Sequence, residues 1–204
     1  MAIGINFILF DGARLKQQMG IVRALNPDHL SLYKGRQEID LADVGPYLSG
    51  FEPGDKFAYW YKETGWGNSW GFLVNSTSNM EGLLQHFQKF LLIKNENGKE
   101  LYFRFYDPRV LRTFLPTCDE QQLIEFFGPV QQFICEDEDP LFALIFSFNG
   151  KRLVIERVVH SVVFPSITKT ENAVSPNVNT ATAIGNNAVA VELKAQRPAR
   201  KFFD

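Results

Sequence analysis

With 204 residues, 45% of them hydrophobic, the chain is long enough for one well-filled core, or one core with a small appendage. Its 21 Lys and Arg against 23 Asp and Glu give a net charge of −2, so no general field attracts nucleic acid and a basic nucleic-acid binder is disfavoured. No apolar run approaches the ~20 residues of a membrane span, and no charged-then-apolar leader precedes Ile5, so a cytoplasmic protein is expected.

Ile5 to Phe10 is an apolar run ended by Asp11-Gly12, which suits a buried first strand and a turn. A core-facing helix is predicted next, from Leu15, Met19 and Val22 with Ile21 and Leu25, stopped by Asn26-Pro27. Leu30 to Lys34 and the stretch opening Gly45-Pro46-Tyr47-Leu48 read as extended. Glu52-Pro53-Gly54-Asp55 turns into a helix with Phe57, Trp60 and Tyr61. A glycine-rich loop with Trp66 and Trp70 follows, whose rings either tuck over their own core or anchor a partner. Phe72 to Val74 is a strand, and Ser78 is the expected cap of a helix whose stripe is Met80, Leu83, Leu84, Phe87, Phe90 and Leu91, with His86 at its polar edge. Leu91 to Lys94 and Leu101 to Phe105 are predicted strands around Asn95 to Lys99, where Gly98 takes the positive φ.

The stretch from Leu101 to Pro116 packs a strand, a turn and a helix start into one run. Alternation sets Leu101, Phe103 and Phe105 on one face and Tyr102, Arg104 and Tyr106 on the other. Asp107 stands at an N-cap with Pro108 at the first helical position; Val110, Leu111, Phe114 and Leu115 form a buried stripe, and Arg109 and Arg112 the polar side. Arg104, Asp107 and Arg109 have two readings: a cap with ion pairs that fixes a corner, or a site that holds a phosphate or carboxylate. A second capping box is read at Thr117 to Glu120, with Leu123, Ile124 and Phe127 inward and Gly128-Pro129 as the stop.

Glu136 to Asp139 reads as a solvated acidic loop, and Leu141 to Phe148 pairs with Arg152 to Val159 across Asn149-Gly150, the strongest hairpin signal in the chain. Phe142, Leu144, Phe146 and Phe148 share one face of that hairpin, with Leu141, Ile145 and Val154 on the other. From Pro165 the composition turns to Ser, Thr, Asn and Ala, which reads as a flexible tail. Cys118 and Cys135 lack metal-type spacing and are expected as free buried thiols; His29, His86 and His160 lack ligand-spaced neighbours, so neither a metal nor a cofactor is expected. The fold class is α/β in the mixed α+β sense, a central mixed sheet flanked by helices. It divides into a body over 1–129, a smaller lobe with the hairpin over 130–164, and a polar tail over 165–204.

Several motifs recur in order: Leu9-Phe10-Asp11-Gly12-Ala13, Gly45-Pro46-Tyr47-Leu48, Trp70-Gly71-Phe72-Leu73, Leu83 to Phe87, Phe103-Arg104-Phe105-Tyr106-Asp107-Pro108-Arg109-Val110-Leu111, Leu115-Pro116 and Phe127-Gly128-Pro129. On these the chain resembles the bacterial type VI secretion effector chaperones, or adaptors, over about Ile5 to Pro129. It departs from them at Gln88-Lys89, where similar proteins often carry an arginine. The resemblance implies a non-enzymatic cytoplasmic protein that binds a toxic effector and passes it to the VgrG spike, with no catalytic residues and no nucleic-acid or membrane partner. Under it Phe103, Arg104, Tyr106, Asp107, Pro108 and Arg109 are framework residues. The partner-binding candidates are Trp66, Trp70, Phe142, Phe146 and Phe148. The alternatives are a small hydrolase or phosphoester-acting enzyme using Arg104, Asp107 and Arg109, and a carbohydrate-binding module using Trp66 and Trp70.

Overall fold

The computed structural model describes residues 4–94 and 98–164, so the tail over 165–204 and the hairpin-loop residues 95–97 lie outside the described residues. Among the described residues nine strands form: β1 Phe7–Asp11, β2 His29–Ser31, β3 Pro46–Gly50, β4 Gly71–Ser76, β5 Leu92–Lys94, β6 Glu100–Tyr102, β7 Val130–Glu136, β8 Phe142–Phe148 and β9 Leu153–Val159. The helices are α1 Gly12–Leu15, α2 Met19–Leu25, α3 Arg36–Asp40, α4 Lys56–Trp60, α5 Met80–Gln88, α6 Pro108–Phe114 and α7 Glu120–Phe127. Strands β5 and β6 pair as a separate ribbon, and the other seven form one sheet in the order β2-β3-β1-β4-β7-β8-β9. Every pairing in that sheet is antiparallel, so the expected mixed sheet is antiparallel throughout. The segment 130–164 supplies three of its strands.

Alternation splits the core in two. Leu9, Phe72, Phe133 and Phe146 face a layer with buried residues of α5, α6 and α7. Ile8, Phe10, Leu73, Ile134 and Ile145 face the opposite layer with Leu15, Met19, Val22 and Phe57. Central strands covered on both faces read as unbroken apolar runs, which is why Phe7 to Phe10 does not alternate. The phenylalanine surplus fills the first layer: the Phe126 ring lies 5.0 Å from Phe90, 5.1 Å from Phe114 and 5.3 Å from Phe133. Cys135 is buried there, and Cys118, half-buried, donates weakly to the Phe114 carbonyl at 3.5 Å.

Several local expectations shift. Lys16 takes φ 50 and interrupts the helix after β1, which leaves Ile21 and Leu25 exposed. The cap of α5 is Asn79, whose Oδ1 accepts from Gly82 N at 2.9 Å, because Ser78 is held back in a turn on Ser76 Oγ. The cap of α7 is Asp119, in a capping box with Gln122, because Thr117 closes the preceding turn by donating to the Phe114 carbonyl at 2.7 Å. That shift turns Ile124 outward, 47% exposed, and Phe126 inward. The strand expected from Leu101 to Phe105 stops at Tyr102.

His86 is buried rather than at a polar edge. Its Nε2 donates to the Phe126 carbonyl at 2.9 Å, and its ring fills the space over Gly128, where a Cβ would lie 2.4 Å from Cε1 and the backbone has φ +46. Burial lowers the His86 pKa below its ordinary 6.5, against the Phe126 carbonyl, which favours the charged ring. The unfolded chain therefore takes up this proton first, so the contribution is whole above pH 6.5 and is lost as pH falls toward the folded value. We expect the melting temperature to fall between pH 7 and 5 and the fall to flatten in His86→Gln, measured by thermal denaturation across pH.

Candidate functional site

Strand β1 ends on Asp11, a carboxylate with no exposed surface. Asp11 accepts from Ala13 N at 3.1 Å as the cap of α1 and forms an ion pair with Arg104. Arg104 opens a tight turn, Asp107 N to the Arg104 carbonyl at 3.1 Å, which drives both Phe105 and Tyr106 inward. Alternation sets these two residues on opposite faces, yet both are buried. The Tyr106 hydroxyl meets Tyr33, and burial with that hydrogen bond raises its pKa. Phe103 packs edge-on against Phe114 at 4.8 Å, and Leu101, expected on the same buried face, is exposed.

The turn ends on Asp107, which caps α6 as read from the sequence, accepting from Arg109 N at 3.0 Å with Pro108 buried in the first turn. Arg109 adds a fork to the same carboxylate, Nε at 3.0 Å and Nη2 at 2.6 Å. The cluster therefore holds two buried carboxylates, each matched by backbone N–H and by one guanidinium. Burial pushes the Asp11 carboxyl above its ordinary range, with Arg104 opposing. Burial acts the same way on Asp107, but the Arg109 hydrogen bonds and charge outweigh it and hold that carboxyl below 3.8. Only the outer faces of Arg104 and Arg109 reach solvent, 45% and 50% exposed, while the carboxylate oxygens point inward. Such an arrangement ties the end of β1 to the start of α6; a general base would need an open carboxylate.

A third buried carboxylate organises the tryptophan loop. Glu136, expected in solvent, accepts from Gly67 N at 2.6 Å, Ser69 N at 2.7 Å and Ser69 Oγ at 2.9 Å. Burial raises its pKa against those hydrogen bonds. Trp66 Nε1 donates to the Pro140 carbonyl at 2.8 Å and its ring meets Phe164 edge-on at 5.1 Å, while Trp70 packs on Trp60 at 5.6 Å. Both loop tryptophans are half-buried and engaged with neighbouring rings.

The hairpin phenylalanines divide. Phe146 is 1% exposed and belongs to the core, so it offers nothing to a partner. Phe148 is half-buried beside Phe127 at 5.9 Å, and Phe142 lies under the Arg157 guanidinium at 3.4 Å. Leu141, Val159 and Val162 are each at least 50% exposed, and Leu141 and Val159 stand at the same end of the hairpin, since His160 N donates to the Leu141 carbonyl and Val159 sits opposite Phe142. At the other end of the hairpin an open groove of about 770 Å3 runs between Asn75, Gln132, Ser147 and Glu156 and the rim of Ile124 and Phe127. Among the described residues no group of three or more His, Cys, Asp or Glu side chains is placed to hold a metal ion, and no helix is long and apolar enough to cross a membrane.

Sequence reasoning missed Asp11 and Glu136 as anchors. The available signal was a carboxylate at the end of an apolar run in each case, Ile5 to Phe10 and Phe133 to Cys135, where burial demands a partner.

Arg104→Met leaves Asp11 buried without its cation. We expect a loss of about 2–4 kcal/mol in urea unfolding, the lower side of a broken buried pair because Arg104 keeps part of its surface in water; adding Asp11→Asn should recover part of it. Asp107→Ala removes cap and fork and should cost ~0.5–2 kcal/mol near neutral pH. Folded Asp107 stays charged to lower pH than the unfolded chain, so its contribution is whole above pH 3.8 and is lost as pH falls further. The stability gap between wild type and Asp107→Ala should close in that direction.

No curated protein and no solved structure matches the chain. One family does, over residues 6–125, from the first strand through the Asp11, Arg104, Asp107 and Arg109 cluster and most of α7. Because that match covers more than half of the sequence, the chain belongs to the family described as Domain of unknown function (DUF4123).

Proposed function

We propose that this protein is a cytoplasmic, non-enzymatic adaptor that binds a type VI secretion effector, keeps it competent for loading and delivers it to the VgrG spike. The observation that carries this reading is the run Phe103-Arg104-Phe105-Tyr106-Asp107-Pro108-Arg109, which resembles the effector chaperones of that system and lies inside the family match. Its charged members are engaged in internal ion pairs, as expected of a motif that maintains a framework. An adaptor for varied cargo needs a common body and a separate recognition surface. The strands after residue 125 lie outside the family match, and they and the residues adjoining the Phe142 end of the hairpin expose Leu141, Val159 and Val162, large apolar side chains of the kind that receive a partner. Effector contacts are assigned to this end of the hairpin, with Phe142 beneath it; Phe148, at the hairpin's other end, and the Trp66 to Trp70 loop are the next candidates.

The test is capture of effectors encoded by genes neighbouring this one. Leu141→Glu with Val159→Glu should abolish capture of the cognate effector while the melting temperature stays within a few degrees of wild type, since surface changes are nearly neutral for folding. Capture that survives both substitutions moves recognition to the tryptophan loop. Purified protein should turn over no ester, phosphodiester or glycoside, and any such activity lost in Arg104→Ala would overturn the non-enzymatic reading.

A further inference from the structure

Strand β9 ends the seven-stranded sheet, and among the described residues nothing pairs with its outer edge. The β8–β9 ladder fixes which backbone groups face outward. Asn149 N donates to the Arg152 carbonyl at 3.3 Å at one end, and His160 N to the Leu141 carbonyl at 2.9 Å at the other. The register between them pairs Ser147 with Val154, Ile145 with Glu156 and Ala143 with Val158. In an antiparallel ladder the N–H and C=O of one residue point to the same side. Val154, Glu156 and Val158 therefore turn to β8, and Leu153, Ile155, Arg157 and Val159 turn their N–H and C=O groups out from the edge.

Proteins usually blunt such an edge with a charge, a proline, a bulge or shortness. The opposite edge, β2, is three residues long. In contrast, β9 has seven residues, no proline and an uninterrupted register. The one charged side chain on its outward-paired residues, Arg157, is drawn back over the Phe142 ring and onto Asp137 at 2.5 Å. The remaining three, Leu153, Ile155 and Val159, form an apolar row. On the other face stands Glu156, exposed and without a cation among the described residues.

Residues 165–204 follow this strand in the same chain, and one stretch of them has a strict period of two: Ala188-Val189-Ala190-Val191-Glu192-Leu193-Lys194. In an extended strand this pattern would set Val189, Val191 and Leu193 on one side, and Ala188, Ala190, Glu192 and Lys194 on the other. We propose that residues 188–194 add to β9 as an eighth strand of the sheet. The apolar trio continues the row of Leu153, Ile155 and Val159, and Lys194 comes to the side that carries Glu156. The intervening residues 165–187 span up to ~3.3 Å each when extended, far more than the ~23 Å of a seven-residue strand, so the segment reaches any part of β9. Attachment in one chain also gives it an effective concentration on the order of millimolar.

Amide hydrogen exchange of the full-length chain, followed residue by residue by NMR, tests this against Val191→Pro, which removes a ladder donor and disfavours a strand while leaving the described residues untouched. The amides of Leu153, Ile155, Arg157 and Val159 should exchange slowly in the wild type and roughly tenfold or more faster in the variant. Those of Val154, Glu156 and Val158 should change little. Fast exchange at the four outward amides in both proteins overturns the proposal, because the edge is then open. Slow exchange in both also overturns it: the edge then has another occupant, and sedimentation identifies a second copy if the chain is dimeric.

Discussion

A carboxylate with no exposed surface at the end of a central strand is the constraint on which the rest of this molecule depends. Asp11 lies where β1 passes into α1, and its charge has no water to rest on. An arginine 93 residues further along the chain meets it. Because breaking such a pair strands a buried charge, the turn that carries Arg104 is held to the end of β1. From that turn follow the inward placement of Phe105 and Tyr106, the cap at Asp107 and the axis of α6. The aromatic layer between α5, α6, α7 and the sheet is assembled around an anchor that is itself polar.

The same device appears three times. Asp11, Asp107 and Glu136 are buried acids that hold a backbone segment: two helix starts and the loop between Trp66 and Trp70. They differ in what opposes burial. Asp107 has a fork of guanidinium hydrogen bonds and ionises more readily than usual, whereas Glu136 has neutral amide and hydroxyl donors and ionises less readily. Acid therefore acts on these fasteners with opposite signs.

What was legible in the sequence was what neighbouring residues decide together. The turn at Asn149-Gly150 is one case: the Asn149 carboxamide accepts from Lys151 N at 3.1 Å and Arg152 N at 3.0 Å, and Gly150 takes φ +88. The cap at Asp107 followed by Pro108 is another. Where determinants lie far apart, local pattern does not show them. The burial of His86 depends on Gly128, a residue of another element with no side chain to exclude it. The burial of Glu136 depends on donors from Gly67 and Ser69. Capping positions differ by one or two residues where two good caps adjoin, as at Ser78 and Asn79, since the choice rests on which residue the preceding turn has already engaged, Ser78 through its amide and Thr117 through its hydroxyl. The antiparallel sheet was hidden because helices separate several of its strands, and their return direction is a property of the whole layer.

The order of strands in the sheet carries a further consequence. β1 is flanked by β3 on one side and β4 on the other, and beyond β4 the strands are laid down in chain order, β7, β8 and β9. The sheet has thus been extended on one flank only, each new strand resting on the one before it. Adding or removing a hairpin beyond β7 leaves the register of β2, β3, β1 and β4 undisturbed, because none of those four strands pairs with β8 or β9. The breadth of the sheet on that side can therefore change while its centre keeps the same pairing.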